Sequence, residues 1–319
     1  GYPEGVPHVT SYARNFTMWR ISEEDDWSLL LTGGTLKAEG PGVELIPGQT
    51  ISIKITLYGR ELELEYRVEN KQATPLTESM VVPFSINIRK PVFRLGQVGS
   101  TIDPTRDIAE GANRELWCVD RWVDVSDDRS GLAIVPKDMP LVSIGNVGIY
   151  RFEAGRVPEE PVVYAHLANT QWGTNFPQWL EGDFRFRVAL DLHAGDWRKG
   201  ALWKNSPSMP ELSMNVIFRA GVMPIEVKEK PGDGLVLMAL RPRHDGPGVI
   251  ARYWDAVGMH GGYAAKLGEA VTRVWLCDLM ERPVRELQVR QVTNADGKDT
   301  LVFFTCAPHG IVTLLVEFD

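Results

Sequence analysis

The sequence predicts an all-β protein built from antiparallel strands. Apolar and polar residues alternate along much of the chain, most clearly over Glu61–Glu69, where even-numbered residues are apolar and odd-numbered residues are charged. This period of two is typical of a strand with one buried face and one face in water. The 30 glycines and 21 prolines are spaced as turns between such strands. Short helices are conceivable only at Asp196–Trp203 and Met259–Ala270, and both segments contain glycine. We therefore expect stacked antiparallel sandwiches.

The clearest pair of strands lies at residues 51–69. Isoleucines and a leucine alternate with polar residues over Ile51–Leu57, and Tyr58–Arg60 joins this run to Glu61–Glu69 as a β-hairpin. On the second strand we expect four apolar side chains in the core and three carboxylates in solvent, namely Leu62, Leu64, Tyr66 and Val68, and Glu61, Glu63 and Glu65.

The same alternation predicts later strands at Phe84–Ile88, Phe184–Leu192 and Leu301–Thr305. The cluster Ala307–Gly310 is a turn before the last strand. At roughly 150 residues per domain, the length of 319 residues suggests about two domains, and the best boundary lies at Ala220–Pro224. We therefore predict a large β unit over residues 1–221 and a smaller β-sandwich over residues 222–319.

Composition excludes several classes of protein. The chain has 34 Lys and Arg against 42 Asp and Glu, a net charge of −8, and no basic run of the kind that binds nucleic acid. Its longest apolar stretch, Ile311–Val316, is far shorter than the ~20 residues of a spanning helix. Neither a signal peptide nor a transmembrane segment is visible, which favours the cytoplasm. The three cysteines, Cys118, Cys277 and Cys306, are far apart in sequence and read as buried reduced thiols.

The familiar catalytic and metal-binding signatures are missing. The sequence has no GxSxG, P-loop, GxGxxG or HExxH motif. None of the six histidines is spaced so that two would share a face as ligands. Glycoside hydrolysis needs two carboxylates, but with 42 acidic residues no pair can be chosen from the sequence. We therefore expect no metal and no cofactor in this chain.

One segment, Val162–Gly182, combines the side chains that suit a sugar. It begins as a strand and continues as a polar and aromatic loop. The loop contributes three amides and three aromatic rings, namely Asn169, Gln171, Asn175, Trp172, Phe176 and Trp179. Rings stack on the C–H face of a sugar while amides bind its hydroxyls. The alternative is a structural corner, in which the tryptophans fill the sandwich rim and the amides bind their own backbone.

This segment also resembles a known family. The stretch Tyr164–Gly182, with Asn-x-x-Trp-Gly-Thr-Asn-Phe and a following Glu-Gly, resembles the β region of glycoside hydrolase family 38, the α-mannosidases. Five further stretches are similar to that family in the same order, namely Asp120–Asp127, Gly131–Ile134, Gly248–Trp254, Cys277–Pro283 and Pro308–Leu314. The resemblance covers about residues 110–319, and residues 1–110 fit as the preceding sheets.

The resemblance implies a galactose-mutarotase-like supersandwich followed by a smaller C-terminal β-sandwich. Members of the family carry their zinc ligands, nucleophilic Asp and acid catalyst in an N-terminal α/β domain and a helical segment, and nothing in this sequence corresponds to either. The resemblance thus implies a non-catalytic β region that packs on the catalytic domain and helps wall the active site for zinc-assisted, retaining hydrolysis of an α-mannoside. Zinc is then expected only in that absent domain.

On this interpretation the partners are a mannose-containing carbohydrate and the catalytic domain of the same protein, without nucleic acid or membrane. The residues expected to wall the sugar site are Asn169, Trp172, Asn175 and Trp179, joined by Asp124 and Arg252 from other strands.

Two alternatives stay open. The chain could be a self-sufficient sugar-active enzyme on a supersandwich, of the aldose epimerase or polysaccharide lyase type. Such an enzyme needs a histidine and a carboxylate, for which His166 or His193 near Glu181 or Asp191 are the local candidates. The chain could also be a purely structural scaffold without a ligand.

Overall fold

A computed structural model describes most of the chain. The described residues are 10–14, 17–23, 26–39, 50–58, 61–73, 78–97, 100–119, 122–147, 155–170, 175–177, 179–202, 234–258, 261–267, 271–294 and 297–318. Their strands are β1 (Thr10–Arg14), β2 (Thr17–Glu23), β3 (Asp26–Glu39), β4 (Thr50–Tyr58), β5 (Glu61–Lys71), β6 (Ser79–Ser85), β7 (Val92–Gln97), β8 (Ser100–Ile102), β9 (Trp117–Cys118), β10 (Val123–Ser126), β11 (Ser130–Pro136), β12 (Leu141–Ile144), β13 (Val162–Asn169), β14 (Gly182–Ala194), β15 (Leu235–Pro242), β16 (Val249–Asp255), β17 (Gly261–Leu267), β18 (Val271–Cys277), β19 (Pro283–Leu287), β20 (Val289–Asn294), β21 (Gly297–Cys306) and β22 (Ile311–Phe318).

The all-β prediction is confirmed, since the described residues contain strands and turns but no α-helix. Every strand pair in them is antiparallel, as expected for short alternating segments joined by turns (β1–β3 through β18–β22). Both segments with a weak helix signal differ from that expectation. Asp196–Gly200 forms turns, and the described part of the second segment is strand β17. No helix among the described residues is long and apolar enough to cross a membrane.

The chain divides into two compact units. The first comprises Gly1–Gln97 with Ile102–Gly200, and the second comprises Val98–Thr101 with Ala201–Asp319. The boundary that the sequence suggested, at Ala220–Pro224, lies outside the described residues.

The first unit is a sandwich of a large and a small sheet. The ten-stranded sheet has the order β1-β3-β4-β5-β14-β11-β10-β7-β8, with β2 paired to β3, and the four-stranded sheet has the order β6-β13-β12-β9. One hydrophobic core contains side chains from both sheets, for example Leu64 and Val188 from the large sheet and Val142 and Val163 from the small one. Burial of this shared apolar surface holds the sheets face to face.

Strand β5 shows how alternation forms this core. Leu64, Tyr66 and Val68 are buried, as predicted, and Leu62 packs against the core. The expectation that all three glutamates lie in solvent is wrong for Glu65, whose side chain is only 8% exposed, and holds only in part for Glu61 and Glu63, which are 33% and 19% exposed.

The burial of Glu65 has an electrostatic cause. Arg67 Nε donates to Glu65 Oε1 at 2.7 Å, and Arg185 Nε donates to Glu65 Oε2 at 2.8 Å. Burial alone would raise the pKa of Glu65, but the hydrogen bonds and charges of the two arginines lower it below the ordinary value. Arg185 reaches Glu65 because it pairs with Arg67 across β5 and β14.

The second unit is a smaller sandwich. Its five-stranded sheet has the order β15-β16-β22-β18-β19, and its three-stranded sheet has the order β17-β21-β20. Tyr253 and Leu314 from the first sheet share a core with Val302 and Phe304 from the second. The predicted turn joins β21 to β22, and the Gly310 N–H donates to the Ala307 carbonyl at 2.8 Å.

All three cysteines are free thiols. Cys277 and Cys306 are buried, as predicted, whereas Cys118 is exposed. Cys118 ends strand β9, the outermost strand of the four-stranded sheet, which explains why the burial prediction is wrong there.

Candidate functional site

The segment between β13 and β14 is the candidate site in the first unit. Asn169 ends β13 and pairs with Ser79 of β6, so its position is set by the four-stranded sheet. The next residue, Thr170, is buried and hydrogen-bonded to Glu78. The Thr170 N–H donates to the Glu78 carbonyl at 2.9 Å, and the Glu78 N–H donates to Thr170 Oγ1 at 3.0 Å. The chain therefore leaves the sheet from a fixed point.

The described part of the loop presents aromatic rings to solvent. Phe176 is 65% exposed and Trp179 is 55% exposed. Asn175 is also exposed, and its φ of 68° lies in the left-handed region that asparagine tolerates better than most residues. Single exposed apolar side chains are ordinary, but two aromatic rings and an asparagine amide exposed within five residues offer the groups that a sugar contacts. Trp172 lies outside the described residues.

The far end of the loop is fixed by β5 and β14. Gly182 pairs with Lys71 at the start of β14, and the ladder is irregular between Gly182 and Phe184. The φ of Gly182 is 104°, a backbone conformation that favours glycine. Asp183 Oδ1 accepts a hydrogen bond from the Asn70 N–H at 2.8 Å. These contacts turn the chain from the loop into the long strand β14.

Asp124 lies on β10, away from any exposed surface of the first unit. Its side chain is fully buried, and both oxygens have hydrogen-bond donors. His193 Nε2 lies 2.9 Å from Oδ1, and the Ser126 hydroxyl donates to Oδ2 at 2.6 Å. A Cβ added to Gly131 would lie 2.3 Å from His193 Cε1, and one added to Gly200 would lie 2.6 Å from His193 Cγ. The imidazole is therefore enclosed between two glycines.

This environment shifts the pKa of His193. Burial acts to lower the pKa of His193, but the hydrogen bond and charge of Asp124 outweigh burial and raise the pKa above its ordinary value. Asp191, also buried on β14, adds to the rise through its charge. The result is a buried acid–imidazole pair that sequence reasoning did not identify, because it considered His193 only with Glu181 or Asp191.

His166 has a different environment. It is buried on β13, and its Nε2 lies 3.0 Å from the Ser143 hydroxyl of β12. Burial lowers the pKa of His166 to about 4, so the ring is neutral at pH 7. Glu181, the carboxylate considered beside it, is exposed.

Arg252 belongs to the second unit and is bound within it. On β16, its Nε donates to Thr313 Oγ1 at 3.1 Å, and its Nη2 donates to the Leu279 carbonyl at 3.2 Å and to Glu281 Oε1 at 3.3 Å. Of the residues expected to wall a sugar site, Asn169, Asn175 and Trp179 lie in the segment from the end of β13 to the start of β14. Asp124 is a buried residue of β10 in the same unit, and Arg252 belongs to β16 of the second unit. Among the described residues, no three His, Cys, Asp or Glu side chains gather in a way that could hold a metal ion.

Comparison with known proteins identifies a shared fold. No protein-family model matches the sequence, and no curated protein matches it. An α-mannosidase from Enterococcus faecalis V583 is similar in structure, with a TM-score of 0.61 and 12% sequence identity; the alignment covers 95% of this chain and 35% of that chain. A protein of glycosyl hydrolase family 38 from Enterococcus faecalis has a TM-score of 0.57 and 12% identity, with 95% and 37% covered.

The chain thus spans about a third of the length of these two proteins. At 12% identity the similarity shows a common fold. The predicted large sandwich followed by a smaller one is therefore a fold that this chain shares with part of an α-mannosidase.

Proposed function

We propose that this chain is a non-catalytic, carbohydrate-engaging β region of an α-mannosidase-like glycoside hydrolase, and that it packs on a separate catalytic domain and helps wall its active site. The observation that carries the proposal is the alignment of 95% of this chain with about a third of an α-mannosidase. Under this proposal the chain itself needs no cofactor, and zinc is bound by the catalytic domain.

The segment between β13 and β14 that carries Asn175, Phe176 and Trp179, here called the aromatic loop, supports the carbohydrate part of the proposal. Trp179 and Phe176 offer flat apolar faces, and Asn175 offers both an amide donor and an acceptor. A mannose-containing glycan has C–H faces and hydroxyls that match these groups. Because an open loop contacts only one side of a sugar, we expect a Kd near millimolar, which corresponds to about 4 kcal/mol.

The histidine environments do not favour a self-sufficient enzyme. A general acid or base must come within hydrogen-bond reach of the substrate. His193 is enclosed with Asp124, and His166 is buried against Ser143. Both rings are used in contacts inside the first unit, and so we assign the chain a binding role.

The binding role can be tested by titrating the protein with methyl α-mannoside while following 5-fluorotryptophan resonances by ¹⁹F NMR. We expect a saturable shift of one or more resonances in the millimolar range. Trp179→Ala should abolish it. Phe303→Ala is the matched control, because Phe303 is an aromatic residue of similar exposure, 54%, in the second unit.

Two results would contradict the proposal. The first is no response of the wild-type protein at tens of millimolar sugar, which would favour the structural scaffold. The second is a response that survives Trp179→Ala, which would place the sugar elsewhere. A Trp172→Ala variant tests the remaining aromatic residue expected at the site.

A further inference from the structure

Lys71, the last residue of β5, is a buried cation with three oxygen acceptors. Its side chain is only 3% exposed. The Nζ atom donates to Glu78 Oε1 at 2.5 Å, to the Leu180 carbonyl at 2.8 Å and to the Gln72 carbonyl at 3.1 Å. An ammonium group has three hydrogens, and each therefore has an acceptor. A lysine buried in this way is rare unless its charge is paired.

The acceptors of Lys71 lie at both ends of the aromatic loop. The backbone of Glu78 holds Thr170, the residue that follows β13, by accepting from the Thr170 N–H and donating to Thr170 Oγ1 as described above. Leu180 follows Trp179 directly in the chain. Glu78 is bound to Thr170, the residue before the loop, and Lys71 is bound to Leu180, the residue after Trp179. The ion pair between Lys71 and Glu78 therefore connects the two ends of the loop.

We propose that the Lys71–Glu78 pair is a positioning clasp that holds Trp179 ready for sugar binding. This inference rests on the proposed function, because it assigns the clasp to the same site. A loop that is ordered before binding loses less conformational freedom when the ligand arrives, and so binds more tightly. Neither Lys71 nor Glu78 needs to contact the sugar.

If the ion pair had only a structural role, its removal would lower the free energy of unfolding without changing the environment of the Trp179 side chain. The experiment therefore measures the environment of the Trp179 side chain directly. Protein labelled with 5-fluorotryptophan gives a Trp179 resonance that Trp179→Phe assigns, and amide hydrogen exchange at Leu180 and Glu181 reports the order of the loop end. Lys71→Met removes the cation at similar length, and Lys71→Arg keeps the charge.

Lys137→Met is the matched control. Lys137, whose side chain is 32% exposed, is likewise paired with glutamates, Glu61 at 3.1 Å and Glu63 at 2.7 Å, but these lie at the opposite end of β5. A second variant, Glu78→Gln, weakens the clasp with little change in shape and serves in place of Lys71→Met if the latter does not fold.

We expect Lys71→Met to move the Trp179 resonance toward its position in urea-unfolded protein and to speed amide exchange at Leu180 at least tenfold. The Kd for methyl α-mannoside should rise at least tenfold, while Lys71→Arg and Lys137→Met stay near wild type. If Lys71→Met leaves both the Trp179 resonance and the amide exchange at Leu180 unchanged, the proposal that the ion pair positions Trp179 is wrong. If the wild-type protein shows no sugar response, the proposed function fails, whereas the resonance and exchange still decide whether the clasp orders the loop.

Discussion

Acid should weaken the first unit through His166. This side chain is 2% exposed on β13, and burial lowers its pKa from 6.5 to about 4. In the unfolded chain the same ring binds a proton near its ordinary pKa. Between these two values the unfolded state holds more protons than the folded state, so the free energy of unfolding falls as the pH falls. The stability at issue is present above about pH 6.5 and is lost progressively down to about pH 4.

The size of this effect follows from the difference between the two pKa values. Each unit of difference between the folded and unfolded pKa corresponds to about 1.4 kcal/mol. Lowering the pH from above 6.5 to about 4 therefore reduces the free energy of unfolding by about 3 kcal/mol. Because the imidazole is almost completely shielded from solvent, screening by water reduces this figure little.

The assay compares wild type with His166→Gln by native-state amide exchange at Val163 and Ala165, which lie in the same strand and are fully buried. Residue-level exchange is preferable to a single melting curve, because a chain with two units need not unfold in one step. At pH 7 the variant should be less stable, since it loses the fitted ring, and this deficit should shrink by about 3 kcal/mol as the pH approaches 4.

The control is His244→Gln, which changes an exposed histidine of the second unit and should leave exchange in β13 unaltered at every pH. If the difference between wild type and His166→Gln is the same at pH 7 and pH 4.5, His166 is not a buried neutral ring and the reasoning is refuted.

Three further predictions concern packing and activity. Leu64→Ala should lower the free energy of unfolding in urea by about 2–5 kcal/mol, because Leu64 is in the core. Glu63→Ala should lower it by less than about 0.5 kcal/mol, because Glu63 is on the outer face of β5. Equal losses for the two variants would mean that the two faces of β5 are assigned the wrong way round. Gly131→Ala should lower the free energy of unfolding in urea by about 1–3 kcal/mol, because the added Cβ would clash with His193. Gly262→Ala should be nearly neutral, because a Cβ added at Gly262 has no heavy atom within 4 Å. The purified chain should not hydrolyse aryl α-mannosides with or without added zinc; clear turnover would reassign catalysis to this chain.

Local pattern was enough to predict the fold class and the core face of particular strands. Alternation along Glu61–Glu69 predicted both the strand and its buried residues, and Tyr58–Arg60 predicted the hairpin that pairs Leu57 with Leu62. These features depend on residues close together in sequence, because a side-chain period of two and a short turn are set by the neighbouring backbone. The loop with Asn175, Phe176 and Trp179 was visible for the same reason, as a composition that differs from its surroundings.

Tertiary structure alone decided which distant side chains meet. Asp124 and His193 are 69 positions apart, Glu65 and Arg185 are 120 apart, and Lys71 is 109 positions from Leu180. Each contact depends on strand register across sheets, and in a sheet of non-sequential strands that register depends on the packing of the whole core. Lys71 gave no sign in the sequence beyond being a charged residue at a strand end. Its burial, its ion pair with Glu78 and its hydrogen bond to the Leu180 carbonyl exist only because the fold brings these distant segments together.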